Sequence, residues 1–237
     1  MPPTGHHHFS ESCTECRHRG LRLFCSLTDN SLQRLDEIGM QVALPGRAVV
    51  FSESQASKAV FIVCEGQLKL SASSSGGRTM ILRLAGPGDL LGLSAALNNL
   101  PYEVTAETLE PTVLKSVRRA DFLEFLQTFG EVSSKTTLVM AKEYREVFLD
   151  ARRLSLSGSA SGRLARLLLD WAATAACGKP ELRFTMALTH EELANMAGTS
   201  RETVTRLLNQ FERSRLILRH GSSLAILSPD RLNDLAE

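Results

Sequence analysis

The stretch Gly198-Thr199-Ser200-Arg201-Glu202-Thr203-Val204-Thr205-Arg206-Leu207-Leu208 decides how this chain reads. Val204, Leu207 and Leu208, with Phe211 beyond, recur at helical spacing and predict an amphipathic helix. Gly198 suits a tight turn just before it. Upstream, Thr189-His190-Glu191-Glu192 has the form of a capping box, opening a short helix that carries Leu193, Ala194 and Met196. Thr199-Ser200-Arg201-Glu202 offers a second box. Two short helices joined by a glycine-containing turn form a helix-turn-helix. Downstream, Leu216-Ile217-Leu218 and Leu224-Ala225-Ile226-Leu227 flank Arg219-His220-Gly221-Ser222-Ser223, and this reads as a β-hairpin wing.

The second helix has a polar face of the composition that base reading requires. Arg201, Glu202, Thr205, Arg206 and Asn209 project away from its apolar stripe. Arginine bonds guanine bidentately in the major groove, glutamate accepts from cytosine N4, and a threonine methyl contacts thymine. Arg201, Glu202, Thr205 and Arg206 are therefore the candidate base contacts. Ser200, Asn209 and Arg213 are the candidate backbone contacts. Between Thr199 and Gly221 stand five arginines and two glutamates, a local excess of positive charge that suits phosphate. A solvated charged face is the ordinary reading of such residues on an isolated helix. Cap, turn, polar face and wing coincide here, and together they favour DNA.

Working toward the N-terminus, Leu164, Leu167, Leu168, Trp171 and Ala175 mark another amphipathic helix, closed by Cys177 and Gly178. Ser155 to Ser161 is serine- and glycine-rich and reads as a hinge. From Glu131 to Leu154 there is no glycine or proline. Met140, Tyr144, Val147, Ala151 and Leu154 fall at alternating spacings of four and three, a coiled-coil-like seam. Such a helix either packs on its own domain or pairs with its twin in a homodimer.

Before it, short apolar runs alternate with turns. Val49-Val50-Phe51, Val60-Phe61-Ile62-Val63, Leu68-Lys69-Leu70, Met80-Ile81-Leu82, Val104 to Ala106 and Thr112 to Val117 read as strands. Gly46, Gly66, Gly76-Gly77 and Gly86-Pro87-Gly88 separate several of them, and Ser73-Ser74-Ser75-Gly76-Gly77 reads as a hairpin tip. That spacing predicts a small antiparallel sandwich or barrel.

Composition sets the outer bounds. The 237 residues suffice for one large or two modest domains. A formal net charge of +1 means that any nucleic-acid affinity is local. No apolar run is long enough to span a bilayer, and Met1 to Ser12 lacks a signal-peptide core. The expectation is a cytoplasmic protein with no membrane contact. Five cysteines, three of them near the N-terminus, point to metal or redox chemistry before a disulfide framework. No Ser/His/Asp or Cys/His spacing, P-loop or GxGxxG fingerprint suggests an enzyme.

The run from Gly198 to Leu208 closely resembles the recognition helix of the catabolite-activator/fumarate–nitrate-regulator (Crp/Fnr) family of transcription regulators. Gly86-Pro87-Gly88-Asp89-Leu90-Leu91-Gly92 resembles that family's Gly-x-Gly-Asp turn in a cyclic-nucleotide-binding-type β-roll. The long helix resembles its dimer helix. The resemblance spans roughly Leu27 to the end. It implies base contacts by Arg201, Glu202 and Arg206, with Thr205 at a position some members use. It also implies a homodimer on an inverted repeat of double-stranded DNA, and RNA polymerase as a further partner.

The family has a cyclic-AMP branch and an oxygen-sensing branch. Here Leu93 and Ser94 follow Gly92 where the cyclic-AMP branch has a glutamate. Pro101-Tyr102-Glu103-Val104-Thr105-Ala106 lacks that branch's phosphate-binding arginine, and Glu103 would repel a phosphate. The expectation is no cyclic-AMP binding of that kind. Cys13-x-x-Cys16 followed by Cys25 resembles the oxygen-sensing branch, whose cysteines hold a [4Fe–4S] cluster. The gap from Cys16 to Cys25 is longer than in that branch, and its distant cysteine position falls near Lys115. Cys64 stands as fourth ligand or as a small buried residue. His18 is another candidate and fits zinc. Reversible thiol oxidation without metal and uninvolved cysteines on an arm both stay open. His6, His7 and His8 read as a tail or as added metal donors.

The expected architecture is α+β. It comprises a cysteine-bearing segment (1–26), a sensory β-roll or jelly roll (27–130), a dimerisation helix with hinge (131–157) and a winged helix-turn-helix (158–237). The competing class is a ligand- or metal-binding sensor that does not read DNA, which would leave Arg201, Glu202 and Arg206 without a role.

Overall fold

The computed structural model describes residues 12–16, 18–73, 79–155, 159–176, 182–186, 188–221 and 223–236. Side chains of residues 149–155, 174–176 and 185 are outside the description. The expected Ser73–Gly77 hairpin tip falls mostly outside it, as do Cys177 and Gly178.

After a short 3-10 turn at Arg19–Leu21, helix α1 (Asp29–Ile38) leads into a β-roll. Its strands are β1 (Gly39–Leu44), β2 (Val49–Phe51), β3 (Ala59–Glu65), β4 (Leu68–Ser73), β5 (Thr79–Ala85), β6 (Leu90–Leu91), β7 (Thr105–Thr108) and β8 (Thr112–Arg118). They pair antiparallel in two four-stranded sheets, ordered β1-β8-β3-β6 and β2-β7-β4-β5. Every strand read from the sequence is present. Phe51, Val63, Leu68, Leu91, Ala106 and Leu114 fill one core of the roll. Helix α2 (Leu93–Asn98) lies between β6 and β7.

A second core joins Val60, Ile62 and Val117 to α1, α3 (Arg119–Thr128) and the start of α4 (Gly130–Ser155) through Leu32, Leu35, Phe122, Phe125 and Val132. Phe24 and Leu27 are buried in it, so the N-terminal cysteine segment docks on the roll. Burial of each such side chain contributes roughly 1.5–3 kcal/mol.

The C-terminal unit holds α5 (Ala160–Ala176), β9 (Arg183–Thr185), α6 (His190–Met196), α7 (Arg201–Arg213), β10 (Ile217–His220), β11 (Ser223–Ile226) and α8 (Pro229–Ala236). The wing is a three-stranded sheet, β10-β11-β9, rather than a lone hairpin. Leu164, Leu168, Trp171, Leu193, Val204, Leu208 and Phe211 share its core. Ile81 of β5 is buried in that same core. Trp171 Nε1 donates to Gln67 Oε1 at 2.7 Å, a buried bond between α5 and the roll. Among the described residues no helix is long and apolar enough to cross a membrane.

Candidate nucleic-acid interface

Two caps position the reading helix. Thr189 Oγ1 accepts from Glu192 N, and Glu192 accepts from Thr189 N at 2.8 Å, so the first capping box forms as read. The second box does not form. Ser200 is the N-cap of α7 and accepts from Thr203 N at 3.2 Å. Thr199 lies one residue too early, and the third residue after Ser200 is a threonine rather than a glutamate. Gly198 turns between the helices with φ +58, a left-handed conformation that glycine adopts without strain.

Val204, Leu207, Leu208 and Phe211 bury one face of α7. Arg201, Glu202, Thr205, Arg206, Asn209 and Arg213 line an open groove along the other. The guanidinium groups of Arg201, Arg206 and Arg213 make no hydrogen bond or ion pair among the described residues. Glu202 is fully exposed; its own backbone N–H and the Ser200 hydroxyl hold its carboxyl below the usual range. The wing supports this surface. Arg219 donates to Glu212 Oε2 and to Asn209 Oδ1, both at 2.7 Å. Glu212 is thereby neutralised, while Asn209 and Ser200 already have protein partners. Among the three candidate backbone contacts, Arg213 is the cation.

The seam expected on the long helix is placed in part. Tyr144 is 74% exposed and Val147 is also exposed, whereas Met140 packs against the core of its own roll. Ala151 and Leu154 lie where side chains are not described. Phe148, absent from the sequence reading, extends the exposed stripe and stacks on Tyr144 at 6.5 Å.

In the roll, Tyr102 occupies the segment where the cyclic-AMP branch carries its phosphate ligands. Its ring stacks on Phe51 at 4.0 Å, and its hydroxyl donates to Ala59 O at 2.8 Å. It sits so close to Gly92 (φ +74) that a Cβ there would meet the ring at 2.6 Å. The side chain is buried in the roll core.

The structure does not gather the four candidate metal-ligating cysteines. Among the described residues no three His, Cys, Asp or Glu side chains stand together as a metal site. Cys13 is engaged with Lys115 and Asp36, and its backbone N–H donates to Asp36 Oδ2 at 2.8 Å. Burial pushes its thiol up to about 12 against the pull of Lys115. As arranged, the chain therefore does not present a four-thiolate cage for a [4Fe–4S] cluster or zinc.

Cys16, Cys25 and Cys64 instead share one neighbourhood with Arg22. Burial pushes Cys25 up to about 12, Arg22 opposes that shift, and Cys64 and Cys16 reinforce it. Burial also raises Cys64, with Arg22 the leading opposing charge. Arg22 is only 7% exposed, and its Nε is buried without a hydrogen-bond partner. A buried, unpaired guanidinium is costly, and it favours an anion beside it.

The molecule thus combines a winged helix-turn-helix with a cyclic-nucleotide-binding-type roll. Residues 162–235 match the model of the Crp-like helix-turn-helix domain, and residues 41–129 match that of the cyclic nucleotide-binding domain. The chain is 28% identical over 227 residues to the probable transcriptional regulator flp of Lacticaseibacillus casei, covering 96% of this chain and 99% of that protein. It is 28% identical to the transcriptional activator protein anr of Pseudomonas aeruginosa, covering 94% and 92%. It is 27% identical to the cyclic AMP receptor protein of Thermus thermophilus, covering 79% and 83%. The fold matches that of FixK2 from Bradyrhizobium japonicum with a TM-score of 0.74 at 20% identity, over 84% of this chain and 98% of that one. The chain belongs to the Crp/Fnr family of DNA-binding transcriptional regulators. These identities do not separate the family's branches.

Proposed function

We propose that this chain works as a cytoplasmic homodimer on an inverted-repeat operator, each protomer laying α7 in the major groove, with RNA polymerase as a further partner. The open face of α7 carries the reading. It holds three arginines without side-chain partners and one exposed carboxylate, side by side on a helix capped by Ser200. Unpaired cations held in register on a rigid element suit base and phosphate contacts. Tyr144, Val147 and Phe148 provide the apolar stripe for pairing α4 with its twin.

The signal enters at Cys16, Cys25 and Cys64 around Arg22, and cyclic AMP is not the ligand. Tyr102 occupies the phosphate-side segment, and no arginine is present there. From the thiols to the dimer helix the path is short. Phe24 anchors the segment, and the Thr28 and Ser31 hydroxyls donate to Glu131 in the first turn of α4. Thr28 N also donates to Glu131 at 3.2 Å. A change at the thiols therefore biases the start of the helix that sets the separation of the two reading heads.

Selection from random duplex DNA, on reduced and oxidised protein, tests the reading. Enrichment of an inverted repeat supports it. Failure to enrich any repeat in either state favours a sensor that does not read DNA. Iron, sulfide and zinc analysis of anaerobically purified protein identifies the chemistry at the thiols. Iron with sulfide means a cluster and a rearranged Cys13, zinc means a zinc site, and neither leaves thiol oxidation or another small ligand of the roll as the signal.

A further inference from the structure

Thr205 sits one turn along α7 from Arg201 and lines the same groove as Arg201, Glu202 and Arg206. Its hydroxyl is already committed to the protein. Oγ1 donates to the Arg201 carbonyl at 3.0 Å and lies 2.9 Å from His190 Nδ1 on α6. A hydroxyl has one proton. With that proton on the Arg201 carbonyl, His190 is the donor from Nδ1, and Thr205 Oγ1 accepts. Burial, then Arg219 and Arg201, pushes the His190 pKa down, which favours the neutral imidazole; the hydrogen-bond pattern then puts its one proton on Nδ1. Both partners of the hydroxyl belong to the helix-turn-helix itself. The hydroxyl has no proton left for a base edge, and the remaining group at the tip of the side chain is the γ-methyl.

We propose that Thr205 is a specificity residue that reads thymine through contact between its methyl group and the thymine 5-methyl, with its hydroxyl tied back to Arg201 and His190. This rests on α7 being the base-reading helix. The 5-methyl is the one apolar feature that a base edge offers in the major groove, and it distinguishes thymine from every other base there. Arg201 and Arg206 favour guanine, and Glu202 favours cytosine. Each half-site then contains a thymine among G·C pairs, at a position whose recognition needs no hydrogen bond.

The test removes the methyl from the DNA, leaving the protein intact. In the enriched inverted repeat, each half-site thymine is replaced in turn by deoxyuridine, symmetrically in both half-sites. The dissociation constant of the full-length protein is measured at one fixed salt concentration. One thymine position is expected to weaken wild-type binding by about fourfold per half-site, the worth of one buried methyl. At that position Thr205→Ser binds thymine and uracil alike, whereas Thr205→Val retains the wild-type preference for thymine. The inference is overturned if no position senses the methyl, if Thr205→Ser keeps the full preference, or if Thr205→Val loses it as completely as Thr205→Ala. Failure to enrich any repeat overturns the base-reading role of α7 itself. That result is separable from all three, because they require a selected operator.

Discussion

Lys69 Nζ on β4 lies 2.9 Å from Glu192 Oε1 on α6, so one ammonium ties the β-roll to the helix that supports the reading head. Glu107 on β7 holds the same lysine at 3.4 Å. Glu192 serves twice, because its other oxygen closes the α6 capping box by accepting from Thr189 N at 2.8 Å. Both charged side chains are partly buried, where an ion pair is screened less than at the open surface.

The pair makes stability fall on acidification in a traceable way. Burial pushes Glu192 up, but the Thr189 N–H, Lys69 and the Thr189 hydroxyl together outweigh it and hold the carboxyl below its usual range. A carboxyl depressed in the fold contributes stability that is complete above its unfolded pKa. That contribution is lost as pH falls through the lowered folded value. Lys69, raised by Glu192 and Glu107 against burial, stays charged throughout that window. Thermal melts from pH 7 to 3 should therefore converge for wild type and Glu192→Gln, with wild type more stable at pH 7. Parallel curves would contradict the assignment.

Trp171 and Gln67 form a second tie between the two units, and its loss should be measurable. Gln67 Nε2 is already buried without a partner. Trp171→Phe removes the indole N–H and leaves Gln67 Oε1 unpaired as well, at a cost of about 1–3 kcal/mol in urea unfolding. Adding Gln67→Leu removes both orphaned groups. The double variant should be more stable than the sum of the single effects.

The arginines of α7 should separate by role. Arg206→Ala should weaken binding to the selected operator by about 1–3 kcal/mol and relax preference at one base pair. Arg213→Ala should weaken all sequences nearly equally and lower the salt slope by about one. Titrations against operator and scrambled duplex over a salt series check both. Unchanged discrimination in Arg206→Ala would remove it from the base contacts.

Phe148 stacks on Tyr144 on the exposed face of α4. Phe148→Asp places a charge where the proposed dimer seam is apolar. Sedimentation should show a monomer, and operator affinity should drop with it. An intact dimer would exclude this face of α4 from the interface.

The elements legible in the sequence were those whose determinants are local. Thr189 and Glu192 stand three residues apart, Gly198 sits in the turn, and the apolar stripe of α7 repeats within one helix. The roll strands showed as short runs between turns. The missed elements draw on distant partners. The N-cap residue of α1, Thr28, has no cap bond of its own and is held instead by Glu131 from α4. Helix α2 starts at Gly92 with no side-chain cap, and β9 is three residues long. Spacing alone could not tell which face of the long helix touches its own roll, so Met140 was grouped with Tyr144 although it faces the core. The Lys69–Glu192 contact spans the two units, and the bond between Thr205 and His190 joins two helices. Neither leaves a trace in local pattern.

The most direct measurement compares affinity for the selected inverted repeat with affinity for the same two half-sites moved apart by five further base pairs. Half a turn of DNA rotates one half-site to the opposite face of the duplex, out of reach of the second recognition helix of a dimer. Affinity should fall toward non-specific binding, by about a thousandfold or more. Equal affinity for the two duplexes would contradict a dimer that reads DNA with paired copies of α7.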